Sequence, residues 1–188
     1  MASSRSFFEI VGPGFLQCWV PSRVYAGDAA HLTGQSTTRL RPGEFLELNV
    51  DGKVVRGTPA AAGKAGVNPA FPYFSETGRG DIVTGGKVPV IFGPTYEAET
   101  KLVARKADGT VDADANNAGN AFAVGDRLCV CDVFAPDDLV NKVYRGLRRM
   151  TATEINPAED TTKAETVVCV GFVTRVFSDR IRFISTLC

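Results

Sequence analysis

From Glu44 onward short apolar runs with alternating positions recur between turn residues, and a period of two predicts strands. Phe45, Leu46, Leu48 and Val50 lead into Asp51-Gly52 and then Lys53-Val54-Val55, which predicts a hairpin. Asp-Gly between apolar runs favours a type I′ turn, with positive φ at both central residues. Phe71 to Phe74 is a short aromatic run, and Val88 to Phe92 and Tyr96 to Arg105 read as strands. Asp108-Gly109 offers a second tight turn toward Thr110-Val111. Arg127 to Phe134 follows Gly125-Asp126 and carries Leu128, Val130 and Val133. Val167 to Phe177 is dense in β-branched residues, which suit a pleated, half-buried surface. Ser178-Asp179 then turns the chain into Ile181 to Ile184 as a hairpin partner. The predicted core is therefore all-β, built from 44–56, 87–111, 127–134 and 166–185.

One stretch departs from the period of two. Leu139, Val143 and Leu147 recur every four residues, behind Pro136-Asp137-Asp138. Carboxylates at that end suit a helix dipole, so the pattern predicts one short helix over Asp137 to Met150. Lys142, Arg145, Arg148 and Arg149 would crowd its other face and C-terminal end, as a solvated face or a subunit salt-bridge surface. Gly146 would cost such a helix about 1 kcal/mol relative to Ala. Residues 57–69, 78–86 and 112–119 are rich in Gly, Ala, Pro or small polar residues and read as loops.

Residues 1–42 read differently. Gly12-Pro13-Gly14 and Pro21 break regular structure, and the apolar run Phe15 to Val20 between them is long enough for one strand. We read this part as an extended N-terminal arm, followed by a small β-barrel or β-sandwich domain over 43–188. The arm carries Phe7, Phe8, Phe15 and Trp19. Those aromatics either dock on a partner surface or close the domain's own core.

A chain of 188 residues suits one such domain. Hydrophobic residues make up 44% and charged residues 22%, ordinary values for a folded globular chain. Lys and Arg number 21 and so do Asp and Glu, giving zero formal net charge. That removes the strongest reason to expect nucleic-acid binding, which draws on surplus cations to release phosphate counterions. No window of about 20 apolar residues predicts a membrane span. The polar start, interrupted by Glu9, lacks the apolar stretch of a secretory signal, so synthesis in a cytoplasm is expected.

No catalytic, cofactor or metal set emerges. Gly57 to Lys64 has five residues between its glycines where a phosphate-binding loop needs four, and Ala65 follows the Lys. Asp112, Asp114 and Asn116 have the spacing of a Ca²⁺ loop, but Asn117 and Ala123 stand where Gly and a bidentate Glu belong. Cys129 and Cys131 lack a second close ligand pair for zinc, and His31 is the only histidine. Arg79-Gly80-Asp81 is a cell-adhesion tripeptide, three residues that chance supplies readily.

The five cysteines, Cys18, Cys129, Cys131, Cys169 and Cys188, cannot all pair within one chain. A strand would set Cys129 and Cys131 on one face. Three or four of the thiols are expected to be buried small hydrophobes. The sharper expectation is an intersubunit disulfide through Cys188, the last residue, or through Cys18.

The sequence also resembles capsid cement, or decoration, proteins of tailed bacteriophages. The resemblance is carried by Gly125-Asp126-Arg127-Leu128-Cys129-Val130, by Val170-Gly171-Phe172-Val173-Thr174-Arg175-Val176 and by Asp179-Arg180-Ile181-Arg182-Phe183. In that group a G-D-x-L step often precedes a strand, and a V-G-x-V strand often precedes the final one. It covers 44–135 and 166–187 and leaves 137–150 unmatched. It implies a binding protein, not an enzyme, on the exterior of a virion capsid, with no cofactor. The implied partners are the major capsid protein and further copies of itself, as a homotrimer, with no direct nucleic acid and no membrane. Another phage component, such as a tail-tube or head-fibre base protein, or a small β-barrel ligand binder, would share this strand style.

Overall fold

A computed structural model of the chain describes residues 8–10, 22–26, 43–57, 71–72, 87–91, 96–105, 121–135, 138–155 and 167–185. At 8–10, 22–26, 71–72, 87–91, 135 and 138–143 the description is of strand backbone and its pairing. The described chain is all-β. Its strands are β1 (Phe8–Ile10), β2 (Ser22–Ala26), β3 (Phe45–Leu48), β4 (Val54–Arg56), β5 (Phe71–Pro72) and β6 (Lys87–Ile91). They continue as β7 (Glu97–Thr100), β8 (Arg127–Ala135), β9 (Asp138–Arg149), β10 (Gly171–Val176) and β11 (Ile181–Ser185). A single helical turn, α1 (Ala152–Ile155), follows β9.

Six strands form the main antiparallel sheet in the order β1-β7-β11-β10-β8-β9. The sheet curls into a half-barrel. Beyond β7 the chain continues the curl toward β9. Ala104 N donates to Leu147 O, and Leu147 N donates to Leu102 O, both at 2.9 Å. Phe45, Tyr96, Ala98, Val103, Phe122, Leu128, Val130, Leu147, Val170, Val173, Ile181 and Phe183 pack into one buried core. The rings of Phe45 and Tyr96 both lie near Phe183, at centroid distances of 6.2 and 6.1 Å. Burial of a large aromatic contributes on the order of 2–3 kcal/mol, so this trio is a main source of stability.

The other strands form two small sheets, β4-β3-β5 and β2-β6. The arm assigned to 1–42 thus contains two paired strands. Phe8 stands opposite Thr100, and Ser22 opposite Ile91. The Phe15 to Val20 run and the Asp108-Gly109 turn lie outside the described residues.

Two local expectations are corrected. The hairpin at Asp51-Gly52 exists, joining β3 and β4, but its turn is not type I′. Only Gly52 has positive φ, at 72°. Asn49 starts a turn in which Gly52 N donates to Asn49 O, and its side-chain Oδ1 accepts from Asp51 N and Lys53 N. That side-chain capping favours a three-residue loop with one left-handed glycine.

The second correction is larger. The helix predicted over Asp137 to Met150 is strand β9, paired with β8 from Leu128↔Arg149 to Phe134↔Val143. Residues four apart share a face in a strand as well as in a helix, so the Leu139, Val143, Leu147 spacing is compatible with both. Gly146 resolves the ambiguity. A Cβ there would meet Leu102 O at 2.3 Å and Val133 Cγ2 at 2.6 Å. The glycine lets the segment after β7 that carries Leu102 approach β9.

Nor is the basic stretch of β9 a solvated face. Arg148 is 1% exposed and reaches Glu154 through two hydrogen bonds of 2.8 and 2.6 Å. Arg145 pairs with Asp132 and donates to Gly57 O. The true helical turn, α1, is capped by Thr151, one residue after the predicted helix ends. Thr151 Oγ1 accepts from Glu154 N, and Glu154 Oε2 accepts from Thr151 N, a reciprocal capping box.

Candidate interaction surface at the last hairpin

The β10–β11 hairpin forms where β-branched density predicted it, and its two ends differ. Gly171 and Val173 of β10 are buried, and so are Ile181, Phe183 and Ser185 of β11. Register then shifts between Val173 and Arg175, and Thr174, Arg175 and Val176 become exposed. A bulge of this kind bends a strand and re-aims its side chains. Phe177 N donates to Arg180 O at 3.0 Å and closes the tip.

Three arginines gather on the Phe177 ring at this tip. The guanidinium carbons of Arg180, Arg175 and Arg182 lie 4.3, 4.9 and 6.0 Å from its centroid. The electron-rich ring face attracts such cations. Arg175 and Arg182 also stand directly opposite one another in the ladder. Like charges in that position repel.

Glu99 of β7 relieves part of the repulsion. It lies opposite Arg182 in register and takes Nε and NH2 of Arg182 at 3.1 and 2.7 Å and Nε of Arg180 at 2.6 Å. Burial pushes the Glu99 carboxyl up, but hydrogen bonds and charge from Arg182 and Arg180 outweigh it and hold the group below its ordinary range. Asp179 is also held low, first by its hydrogen bond to Lys101 and further by Arg180. Its backbone oxygen accepts from Arg105 at 2.7 Å. Thr174 Oγ1 donates to Glu97 at 2.9 Å. Arg175 has no carboxylate partner among the described residues.

The arrangement suits binding. It offers guanidinium groups on an exposed tip, held by a buried hairpin base and by a carboxylate from a neighbouring strand. Among the described residues, no three His, Cys, Asp or Glu side chains converge closely enough to hold a metal ion.

Phe7, Phe15 and Trp19 lie outside the described residues, as do Cys18 and Cys188. Phe8 lies on β1, which pairs with β7. Cys129, Cys131 and Cys169 are all buried. Cys129 and Cys131 share the face of β8 opposite Leu128 and Val130, as their spacing predicted.

The tip cluster went unread as a site, although Arg175-Val176-Phe177-Ser178-Asp179-Arg180-Ile181-Arg182 places three arginines around one Phe on a predicted hairpin. Glu99 could not have been found that way, because it enters from a strand far back in the chain. The chain matches no family model, no curated protein and no solved structure.

Proposed function

We propose that this protein is a structural virion component that binds the outside of an icosahedral bacteriophage capsid and bridges neighbouring major capsid proteins. Copies act together, as homotrimers, and each adds buried area across a seam of the shell. Contacts of modest individual strength then sum over many copies, and internal pressure must break more of them to open the shell.

The observation that carries this reading is the junction between the two stretches that resemble cement proteins. Gly125 N donates to Val173 O at 2.8 Å, and Val173 N donates to Asp126 O at 3.0 Å. Asp126 Oδ2 accepts from Ala123 N at 2.7 Å and shapes the step before β8. The G-D-x-L step and the V-G-x-V strand are therefore one joint, and the exposed arginine tip projects from its far end. In this reading Phe7, Phe8, Phe15 and Trp19 of the arm contact the shell, and Cys188 or Cys18 links subunits after release into an oxidising medium.

The test is electron microscopy of purified particles with and without this protein. The expected result is density on the outer shell in one set and bare shell in the other. Localisation to the tail, or no difference between the sets, overturns the reading. Non-reducing gels of particles with thiols blocked at lysis test the crosslink, and a purely monomeric band removes it.

A further inference from the structure

We infer that the Phe177 tip is a docking surface for an acidic protein segment, with Arg175 as the residue that receives its carboxylate. This rests on the reading above only for the identity of the partner, the outer face of the shell.

Arg175 and Arg182 face each other across the ladder and share one ring with Arg180. Two of the three guanidiniums, on Arg180 and Arg182, share the carboxylate of Glu99, whose side chain is 11% exposed, and Arg180 also pairs with Asp179. The third, on Arg175, is exposed and pairs with no carboxylate among the described residues. A fold gains nothing from placing like charges opposite one another. A carboxylate arriving from a partner removes that repulsion, and the aromatic ring beneath holds the guanidinium in place to receive it. Arg180 and Arg182, about a third exposed at 34% and 30%, are already oriented by Glu99 and need little reordering. Val176, 38% exposed beside them, adds an apolar contact.

Nucleic acid is the other anionic partner, and the cluster does not suit it. Glu97, Glu99 and Asp179 lie among the cations and would repel a run of phosphates. A phosphodiester track needs several unpaired cations in a row, because affinity grows with each counterion released. One unpaired arginine beside anchored ones fits a discrete carboxylate.

The experiment measures fluorescence anisotropy of a labelled deca-glutamate peptide and of a labelled ten-nucleotide single strand in low salt. It uses the full chain and the variants Arg175→Glu and Arg175→Lys. Thermal melts confirm that the variants fold. Binding of the peptide that weakens at least tenfold in R175E, with partial retention in R175K, supports the inference. No peptide binding, equal binding by R175E, or tighter binding of the oligonucleotide overturns it. Co-sedimentation with bare shells separates this from the function proposed above. Shells bound equally by the wild type and R175E overturn the docking site and leave the capsid reading standing. Shells that ignore the wild type, while the peptide binds through Arg175, overturn the capsid reading and support the docking site.

Discussion

Arg148 and Glu154 meet as a two-point ion pair at the end of β9, with the guanidinium 1% and the carboxylate 13% exposed. The pair ties the strand to the helical turn that follows it. The two partners are unequally placed, so their removal has unequal costs. Glu154→Ala strands a charged guanidinium in the core and is expected to cost about 3 kcal/mol or more. Arg148→Met leaves a carboxylate that can turn to solvent and still cap Thr151, and is expected to cost about 1 kcal/mol. Urea denaturation of both variants checks the order, and equal losses would contradict it.

The same pair sets part of the response to acid. Burial raises the Glu154 carboxyl, but hydrogen bonds from Arg148 and Thr151 and the charge of Arg148 outweigh it, so the group sits below its ordinary value of 4.5. A folded-state value below the unfolded one means stability that is present above the unfolded value and lost as pH falls through the folded one. Unfolding free energy is expected to decline between roughly pH 5 and pH 3. Glu154→Gln is expected to flatten that decline, read from denaturation midpoints across the range. A variant curve parallel to the wild type would show that Glu154 does not contribute.

Gly146→Ala tests the tight approach of Leu102 to β9. The added Cβ would fall 2.3 Å from Leu102 O, a backbone atom with no room to move. Overpacking of this kind is expected to cost about 3 kcal/mol. Gly52→Ala is the control, because a Cβ there meets nothing within 4 Å and only its φ of 72° is strained. It should cost about 1 kcal/mol. Thermal melts are expected to separate the two by several degrees, with G146A the lower.

The thiols of Cys129, Cys131 and Cys169 are expected to resist modification in the folded protein. All three are buried, and burial pushes the Cys131 thiol well above its ordinary range, with Cys129 adding to the shift. Reaction requires the thiolate, so both access and ionisation are blocked. Treatment with an alkylating reagent at neutral pH, followed by peptide mapping, should find these three unmodified until denaturant is added. Rapid labelling of Cys131 in the native protein would contradict the packing around β8.

The sequence by itself determined the fold class and most of the strands. Strand signals are local, and Phe45 to Val55, Arg127 to Phe134 and Ile181 to Ile184 carry them as short apolar runs rich in Val, Ile and Phe beside turn residues. It also determined that Cys129 and Cys131 share a face, because the period of a strand is two. It did not determine the state of 138–149, where a spacing of four satisfies both periods. There β8 decided, by offering a ladder that a helix would leave unpaired.

The short helix shows the same division. The Thr151 to Glu154 capping box went unread, because four residues of helix carry too little apolar period to stand out. The interaction surface was half legible. The arginines and Phe177 lie together in the chain, and the hairpin that gathers them was predicted. Glu99, which pairs with two of them and leaves Arg175 unmatched, comes from β7. Only the tertiary structure brought it there, because charge pairing across a sheet depends on strand order and register, and neither is written in local pattern.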